Sequence, residues 1–462
     1  MRDALSMTAL EQADLVRRGE VSSEELVRAS LERVAAQNGA LAAFVSVFPR
    51  RAIAQARAWD RRRRRGERLP LFAGVPTAIK DLNFVRLSWT RMGSRGVPPL
   101  FSPVDDVVVR AVRRGGFVIV GKTATSEVGA MPVTEPDTHP PTRNPWDLSR
   151  AAGGSSGGAA AAVASGMVPI AHGSDGAGSI RLPAAFCHLF GLKPSRGCVP
   201  NAFGKADRDV LYTCGPIATN VADAAAMLDV MAGLDAEFGG RPHWAPPPEK
   251  PYRAQTAPPA RLVIRFSTKA PLGVTHPDVA RAVEDAARAL ADLGHDVEEA
   301  PLPSGTLEEF LPLWQQLVST APVLSWARTQ PITRWLGEAG KRLKDVDVRA
   351  RHRELTARFD AAFDAADVWL TPTTPEPAPR VGAFANRPPA EAFEDAARIG
   401  AFTAAMNVTG RPAASVPLGL TADGLPMGAQ IAGRAFADDV VLAVARQLEA
   451  ARPWAHRRAG HA

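Results

Sequence analysis

The sequence has few of the features that mark secreted, membrane-spanning or metal-binding proteins. Its 462 residues include only three cysteines, Cys187, Cys198 and Cys214, which cannot form a full set of disulfides and show no paired CxxC pattern. No apolar run approaches the roughly 18 residues of a membrane-spanning helix, and no stretch near the start has the pattern of a signal peptide. We therefore expect a reduced, cytoplasmic setting and no membrane partner.

The sequence also lacks a strong charge excess and any internal repeat. With 55 lysines and arginines against 48 acidic residues, the formal net charge of +7 suits an acidic partner without requiring one. The most basic stretch is Arg61–Arg65, and no second basic patch accompanies it in the sequence. We interpret it as a solvated helix end and expect no nucleic-acid partner.

Two clusters of glycine and serine, Gly153–Gly158 and Gly173–Ser179, lie close together in the chain. Between them, Ala159–Ser165 favours a helix ended by Gly166, and Met167–Ala171 is typical of a short buried strand. Both clusters are therefore predicted to lie in turns that present backbone N–H groups. A flexible linker, a phosphate-binding loop and a catalytic site all stay open on this pattern, although neither cluster has the lysine that a P-loop needs.

The longer motif around these clusters resembles the signature of the amidase signature family. It comprises GGSSGG, GSDGAGSIRLPAAFC and GLKPSRG, preceded by GVPTAIKDL, GKTATSE and TRNPWDLSRAAGG and followed by GPIATNVADAAAMLDVMAG and MNVTGRPAASVPLG. Enzymes of that family hydrolyse amides with a Ser–cis-Ser–Lys triad. The resemblance implies that Ser179 is the nucleophile and Lys80 the base. Ser155, joined to Gly154 by a cis peptide bond, would pass the proton between them.

The resemblance also implies how the loop before the nucleophile works. The oxyanion hole would consist of backbone N–H groups, those of Gly176, Ala177, Gly178 and Ser179. Three further residues would support the loop by hydrogen bonding, namely Ser156, Asp175 and Arg181. No cofactor and no metal is implied. The partners would be a small-molecule amide substrate and, as is common in the family, a second copy of the chain in a homodimer.

Two positions depart from the commonest pattern of the family. Ala177 replaces a frequent glycine and would be strained if its backbone φ were positive. His188 stands where a glycine usually follows the cysteine, near the expected pocket. His139 and His172 also lie near the motif in sequence, but they and His188 are as readily structural as catalytic. No Ser-His-Asp triad is therefore predicted.

Two lysines lie at the ends of apolar runs. Lys80 follows Val75–Ile79, a placement that predicts a desolvated amine with a lowered pKa. The second, Lys122, belongs to Gly116–Thr123, GFVIVGKT, which matches the Walker A pattern. Because the four residues between its glycines are Phe, Val, Ile and Val, we interpret this segment as a core strand and expect no nucleotide site.

Helices and strands alternate along most of the chain, which predicts a layered α/β protein. The resemblance implies a single large domain over residues 1–462, with one mixed β-sheet covered by helices on both faces. Its predicted parts are an N-terminal helical arm (1–65), a signature core (66–235), a Pro-rich excursion (240–260), and a C-terminal part that completes the sheet and the substrate pocket (261–462).

Local signals place several elements. Thr8–Glu11 and Ser22–Glu25 fit capping boxes on two helices separated by Gly19. Later elements are a turn and helix at Gly215–Gly233 with Asp223 and Asp229 on its solvated side, strands at Arg261–Phe266, Asp296–Ala300 and Val368–Leu370, and helices at His276–Leu293 and Val440–Glu449. A helical stripe from Leu307 to Val318 is assigned to the core by default, while Trp314, Trp326 and Trp335 are candidates for the pocket wall.

Two alternatives to a stand-alone amidase remain. One is the glutaminase-type component of a glutamine-dependent amidotransferase complex, which the segment ADRDVLYTCGPIA disfavours because it differs from the characteristic segment of those proteins. The other is a non-catalytic scaffold on the same fold, which has no need of an intact Lys80, Ser155 and Ser179. The amide substrate itself is not encoded in any motif.

Overall fold

The computed structural model describes residues 4–200, 211–234, 248, 250–255, 260–454 and 459. Its α-helices are α1 (Ala9–Arg18), α2 (Ser23–Leu41), α3 (Pro49–Arg64), α4 (Val107–Arg114), α5 (Gly157–Ala164), α6 (Arg181–Phe186), α7 (Val221–Met231), α8 (Pro277–Asp292), α9 (Leu307–Ser319), α10 (Pro331–Gly340), α11 (Asp345–Phe363), α12 (Pro389–Ile399), α13 (Ala404–Val408) and α14 (Asp438–Ala451). Its strands are β1 (Phe44–Val47), β2 (Pro76–Lys80), β3 (Ser88–Thr90), β4 (Leu100–Ser102), β5 (Val118–Thr123), β6 (Arg143–Asn144), β7 (Asp147–Ala151), β8 (Ile170–Asp175), β9 (Phe190–Lys193), β10 (Thr213–Ala218), β11 (Val263–Phe266), β12 (Asp296–Glu299), β13 (Val368–Pro372), β14 (Ala413–Leu420) and β15 (Pro426–Gly433).

In this described part, eleven strands form one mixed sheet in the order β1-β5-β2-β8-β10-β9-β14-β15-β13-β11-β12. β2 runs parallel to β5 and β8, and β11 runs parallel to β12 and β13, whereas the other neighbours are antiparallel. The two halves of the chain join where β9 pairs with β14. One sheet therefore unites the chain, which confirms the predicted single α/β domain.

Side chains alternate between cores on the two faces of this sheet. On β5, Ile119 lies in a core with residues of α1, α4, α7, α8 and α14, whereas Val118 and Val120 lie in a core with α2, α3 and α5. Further along the sheet, Ile431 of β15 joins the first core and Ala432 packs with α9 to α13 on the opposite face. Helices thus cover both faces, as predicted.

The N-terminal segment has the two predicted capping boxes. Thr8 Oγ1 accepts the Glu11 N–H at 3.2 Å while the Glu11 carboxylate accepts the Thr8 N–H at 2.8 Å, and Ser22 and Glu25 make the same exchange. Gly19 ends α1 with a left-handed φ of 77°. The segment is not purely helical, however, because β1 pairs with β5 at the edge of the sheet. The four residues FVSV are too few for alternation to reveal a strand.

The strand predicted at Met167–Ala171 lies further along the chain. β8 begins at Ile170, directly after Pro169, which has no N–H for the ladder. It continues through Gly173 because β10 pairs with it residue by residue, Gly215 opposite Gly173. The second glycine–serine cluster therefore begins inside a strand, and Gly215 lies within β10 instead of opening a turn.

The predicted solvent exposure of Asp223 and Asp229 on α7 is wrong. Both side chains are fully buried. Asp223 accepts the N–H groups at the start of α1, with Ala9 at 2.6 Å. Asp229 accepts the N–H of Tyr252 at 2.7 Å and two donors of Arg253. Each carboxylate thus satisfies backbone donors that have no partner in their own element, which helical periodicity on α7 does not reveal.

The C-terminal elements agree with the prediction. The α/β unit is present as β11, α8 and β12, with boundaries shifted by one or two residues, and the later predictions correspond to α9, β13 and α14. Most of the Pro-rich excursion, 240–260, lies outside the described residues. Within it, Tyr252 is only 4% exposed and packs in the core, so at least this residue does not belong to an exposed segment.

Two surface features complete the fold. Arg61–Arg65 forms the end of α3 and the residue after it, and Arg62 and Arg65 pair with Glu67 at 2.6 and 3.1 Å. This geometry agrees with a solvated helix end. In the described part of the chain, no α-helix is both long enough and apolar enough to cross a membrane.

Candidate active site

Lys80 is the last residue of β2, and its side chain is completely buried. Its Nζ donates to Ser155 Oγ at 2.8 Å, to Ser174 Oγ at 3.1 Å and to the Ser174 carbonyl at 3.2 Å. Burial lowers the pKa of this amine from 10.5 to about 7, and the negative charge of Asp175 opposes that shift only in part. A large fraction of the amine is therefore neutral at neutral pH.

Ser155 and Ser156 directly precede α5, where the glycines of the first cluster let two backbones approach closely. The peptide bond between Gly154 and Ser155 is cis, as the family resemblance implies. Ser156 Oγ donates to the Ser174 carbonyl at 3.1 Å and accepts the Ser174 N–H at 3.3 Å. Ser156 thereby ties the start of α5 to the end of β8, the strand that leads to the predicted nucleophile.

Ser179 lies at the end of the loop that follows β8 and is 7% exposed. Its carbonyl accepts the N–H of Ser156 at 3.2 Å, and its side chain lines the same cavity as Ser155. Among the described residues, no hydrogen bond joins the hydroxyls of Ser179 and Ser155. The structure therefore brings Lys80 and Ser155 into direct contact and places Ser179 beside them.

A fully buried ion pair between Asp175 and Arg181 holds the loop from both ends. Arg181 Nε and Nη2 donate to the two carboxylate oxygens at 3.0 and 2.9 Å. The same carboxylate accepts the N–H groups of Gly178 at 2.6 Å and Ile180 at 3.1 Å. Burial alone would raise the pKa of Asp175, but the charge and hydrogen bonds of Arg181 hold it well below its usual range.

This geometry corrects the predicted oxyanion hole. The N–H of Gly178 is directed at Asp175 and is not available to a substrate oxygen. The N–H groups of Gly176, Ala177 and Ser179 have no acceptor among the described residues, so three of the four predicted donors remain. Ala177 is not among the residues with positive φ; Gly178, with a φ of 126°, takes the conformation that favours glycine.

The three histidines near the motif occupy structural positions. His188 has a left-handed φ of 57° and packs edge-on against Trp146. His172 is fully buried, and burial together with the charge of Lys80 lowers its pKa to about 3. Among the described residues, neither His139 nor His172 forms a hydrogen bond with a predicted catalytic serine. None of these three histidines is therefore placed as a base for Ser179.

Three residues of the C-terminal part brace the loop, and sequence reasoning did not identify them. Thr403 Oγ1 donates to the Ala177 carbonyl at 2.6 Å, and Asn407 Nδ2 donates to the Asp175 carbonyl at 2.9 Å. The Gln430 side chain accepts from the buried guanidinium. Only Asn407 stands in a recognised motif, MNVTGRPAASVPLG, and that motif does not show where its side chain points.

Two cavities meet at Ser179. The apolar cavity, of about 110 Å³, is lined by Ala177, Ser179 and six aromatic side chains, Phe310, Trp314, Phe359, Phe363, Phe393 and Phe402. The relay cavity, of about 610 Å³, has a mixed lining: its polar residues include Ser155, Ser174, Asn83, Gln316, Asp345 and Arg349, and its apolar residues include Leu82, Phe84, Leu313 and Leu317. Of the three tryptophans proposed for the pocket wall, Trp314 lines both cavities, whereas Trp326 and Trp335 line neither.

Lys122 of the Walker-like segment is engaged inside the protein. Its Nζ lies 2.5 Å from an oxygen of the Asp81 carboxylate and donates to Thr90 Oγ1 at 2.5 Å and to the Trp89 carbonyl at 3.2 Å. The apolar residues between the two glycines belong to β5 and its approach, and Phe117 and Val118 are fully buried. The segment is a core strand, as the sequence indicated, and its lysine anchors the neighbouring β3.

Comparisons with known proteins agree on one family. The amidase family model matches residues 25–442. The chain is 35% identical over 484 residues to the 6-aminohexanoate-cyclic-dimer hydrolase of Paenarthrobacter ureafaciens, with 97% of this chain and 96% of the relative covered. A solved structure of 6-aminohexanoate cyclic dimer hydrolase superposes with a TM-score of 0.89 at 31% identity, over 99% of each chain. A bacterial aryl acylamidase of the amidase signature family superposes with a TM-score of 0.84 at 27% identity, over 97% of this chain and 96% of that one.

Proposed function

This chain belongs to the amidase signature family, and we propose that it hydrolyses a carboxamide or acyl-amide bond with Ser179 as nucleophile, Ser155 as proton relay and Lys80 as base. The observation that carries this proposal is the 2.8 Å hydrogen bond from the buried Lys80 amine to the Ser155 hydroxyl, beside a cavity that Ser179 also lines. An amide is a poor electrophile, so its hydrolysis needs an activated nucleophile, a stabilised oxyanion and a protonated leaving amine.

The first half of the reaction acylates the enzyme. As Ser179 Oγ attacks the carbonyl carbon, its proton passes to Ser155 Oγ, whose own proton passes to neutral Lys80 Nζ. The tetrahedral intermediate then collapses and the C–N bond breaks. Lys80 returns its proton through Ser155 to the departing nitrogen, which leaves as a neutral amine. The relay closes when a bound substrate brings the two serine hydroxyls within hydrogen-bond distance.

The loop after β8 supplies the stabilisation of charge. The N–H groups of Gly176, Ala177 and Ser179 are the available donors for the oxyanion that forms on the carbonyl oxygen. Each such donor contributes about 2.7–4 kcal/mol to lowering the barrier. Because Asp175 and Arg181 fix the loop from within, these donors are oriented before the substrate binds.

The second half of the reaction releases the acid. A water molecule occupies the position of the departed amine and gives a proton to Ser155 as its oxygen attacks the acyl ester. The ester C–O bond breaks, Ser179 Oγ regains a proton through the same relay, and the carboxylic acid leaves. No redox step and no co-reactant besides water is needed.

Two named neighbours support this reaction type. One is a hydrolase of a cyclic dimer of 6-aminohexanoate, and the other is an aryl acylamidase. The first name states a hydrolysis, and the second names an enzyme that acts on acyl amides. We propose linear amides as the substrates of this chain, because two cavities lead away from Ser179 and offer separate space for the two halves of such a molecule.

The test is hydrolysis of a panel of amides by the purified protein, followed by detection of the released amine. We expect turnover by the wild type and a loss of about 10²- to 10⁴-fold in Ser155→Ala. Ser165→Ala is the matched control, because Ser165 is also a buried serine beside α5 but bonds only to the helix backbone at the opposite end. Circular dichroism establishes that each variant is folded.

Three results would contradict the proposal. Near-normal turnover in folded Ser155→Ala would exclude the relay. Release of ammonia from glutamine only in the presence of a copurified partner would favour an amidotransferase component instead. A folded protein that turns over no amide and reacts with no serine-directed probe would favour a non-catalytic scaffold.

A further inference from the structure

The two cavities at Ser179 differ in which of the proposed catalytic residues line them. Ser155 and Ser174, the two hydroxyls bonded to Lys80, line the relay cavity and do not line the apolar cavity. Of the proposed catalytic residues and oxyanion donors, Ser179 and Ala177 are the two that line the apolar cavity. A substrate bound across Ser179 therefore has one half beside the relay and the other half away from it.

We infer that the acyl group occupies the apolar cavity and the leaving amine occupies the relay cavity. This assignment rests on the proposed function, because it follows the path of the proton. The proton taken from Ser179 must return to the leaving nitrogen, and a general acid must lie within hydrogen-bond reach of the atom that it protonates. Only the relay cavity lets the nitrogen face Ser155. The acyl chain then extends on the other side of the carbonyl carbon.

The lining of the apolar cavity selects the chemistry of that acyl group. Six of its side chains are aromatic, and among its described lining residues the one ionisable group is Glu309. That carboxylate is already paired with Arg358, at 2.7 and 2.9 Å, and caps the start of α9. A charged acyl group would lose its hydration without gaining a partner. The acyl group is therefore uncharged and apolar.

The size of the cavity limits its length. An apolar cavity of about 150 Å³ is large enough to bind benzene. The 110 Å³ available here is smaller, so it limits the acyl group to about six carbons or fewer. The relay cavity, at about 610 Å³, places far weaker limits on the size of the amine, and its lining combines polar residues with apolar ones such as Leu82, Phe84 and Leu313. The substrate class is thus amides of short apolar carboxylic acids, with amines that vary more widely in size.

Two matched series of uncharged amides test this assignment in the wild-type protein. One series varies the acyl chain from acetyl to octanoyl on a constant methylamine, and the other varies the amine from methyl to octyl on a constant acetyl group. We expect kcat/KM to rise about fourfold per methylene along the acyl series, the effect of burying one CH₂. The rise should stop near six carbons, whereas the amine series should extend to octyl without such a stop, because the relay cavity is larger.

Two substitutions of the same kind locate the effect. Ala405→Phe fills the apolar cavity, and Ala321→Phe places the same ring in the relay cavity. We expect Ala405→Phe to reduce the hexanoyl-to-acetyl ratio of kcat/KM at least tenfold. Ala321→Phe should leave that ratio unchanged while it disfavours bulky amines. Circular dichroism verifies both folds, and the wild-type series decides the matter if either variant fails to fold.

The outcomes separate this inference from the function on which it rests. A stop near six carbons along the amine series, with none along the acyl series, would reverse the assignment and overturn it. The same stop in both series, or in neither, would also overturn it, since the two cavities would then not differ in the length that they accept. No turnover of any member of either series would instead refute the proposed hydrolysis of amides, and the assignment would fall with it.

Discussion

Replacing Lys80 with methionine should abolish amide hydrolysis and also remove a large electrostatic cost from the folded protein. The Lys80 side chain is fully buried without a hydrogen-bonded carboxylate, and this burial lowers its pKa from 10.5 to about 7. Methionine keeps much of the apolar stem but carries no charge. The variant therefore separates what the amine does for the reaction from what it does to stability.

The pH dependence of stability follows from proton linkage. Between pH 7 and about 10.5 the unfolded chain keeps the Lys80 proton and the folded chain does not, so this residue makes stability rise with pH. The destabilisation caused by burying the charged amine is absent above the pKa of Lys80 in the unfolded chain. It is complete below the pKa of Lys80 in the folded chain. At about 1.4 kcal/mol per pKa unit, the full cost is about 5 kcal/mol. Between pH 6 and pH 9 the contribution should change by about 3 kcal/mol.

Loss of the amine also removes hydrogen bonds to Ser155 and Ser174, each worth about 0.5–1.5 kcal/mol. The loss of these hydrogen bonds offsets part of the stability gained by removing the buried amine, and this offset does not vary with pH. The sharpest prediction therefore concerns how the difference in the free energy of unfolding changes with pH. The free energy of unfolding of Lys80→Met, relative to wild type, should fall by about 3 kcal/mol from pH 6 to pH 9.

Urea unfolding at several pH values measures this difference, and kcat/KM over the same range measures the reaction. In the wild type, kcat/KM should rise with a single limb whose midpoint lies near pH 7, because the base must be neutral. Lys80→Met should lose about 10²- to 10⁴-fold in turnover. Lys80→Arg should be nearly as inactive, because a guanidinium stays protonated.

Lys193 provides a matched control. It is also buried, burial and the charge of Arg181 lower its pKa to about 7, and its amine donates to the Pro194 carbonyl. In Lys193→Met the free energy of unfolding, relative to wild type, should change with pH as it does in Lys80→Met. The rise of kcat/KM with pH should remain as in the wild type. Parallel unfolding curves for wild type and Lys80→Met between pH 6 and pH 9 would refute the argument, as would an unchanged activity limb in the folded Lys80→Met variant.

Three further predictions address other parts of the site. A fluorophosphonate should label Ser179, and peptide mapping of the adduct to another serine would exclude it as nucleophile. Lys122→Met should lower the free energy of unfolding in urea by about 3–5 kcal/mol, because it leaves the buried Asp81 carboxylate unpaired; a loss under about 1 kcal/mol would contradict this. Arg181→Lys should lower kcat about a hundredfold by misplacing the loop before Ser179, because an ammonium cannot reproduce the guanidinium fork; wild-type kcat would contradict it.

Local sequence signals predicted the parts of the fold whose cause is local. The capping box at Thr8, the helix after the first glycine cluster and the strand in GFVIVGKT each depend on residues within one element. The missed features depend on distant partners. β1 is a strand because β5 lies beside it, and Asp223 is buried because α1, 213 and 214 positions away, begins at its carboxylate. No local period encodes such a contact.

The same distinction between local and distant causes applies to the candidate site. The resemblance singled out Lys80 and Ser155, which the fold brings into contact, but it also counted Gly178 among the oxyanion donors. The structure directs that N–H to Asp175 instead. Thr403 lies 226 positions from the carbonyl that it holds, so the brace could be found only in three dimensions. The residue types were known from the sequence, but the directions of the backbone N–H and side-chain groups were not.

The arrangement of charges explains why the Lys80 amine loses its proton near neutral pH. Asp175 is the carboxylate whose charge favours the protonated form of Lys80, but both of its oxygens are occupied by Arg181, by Asn407 and by backbone N–H groups. The guanidinium neutralises the carboxylate and leaves the amine to hydroxyl and carbonyl partners. A buried cation without a counter-ion is costly, so the proton is lost near pH 7. Burial thus sets the pKa of Lys80, while the hydrogen bonds between Arg181 and Asp175 fix the loop before Ser179.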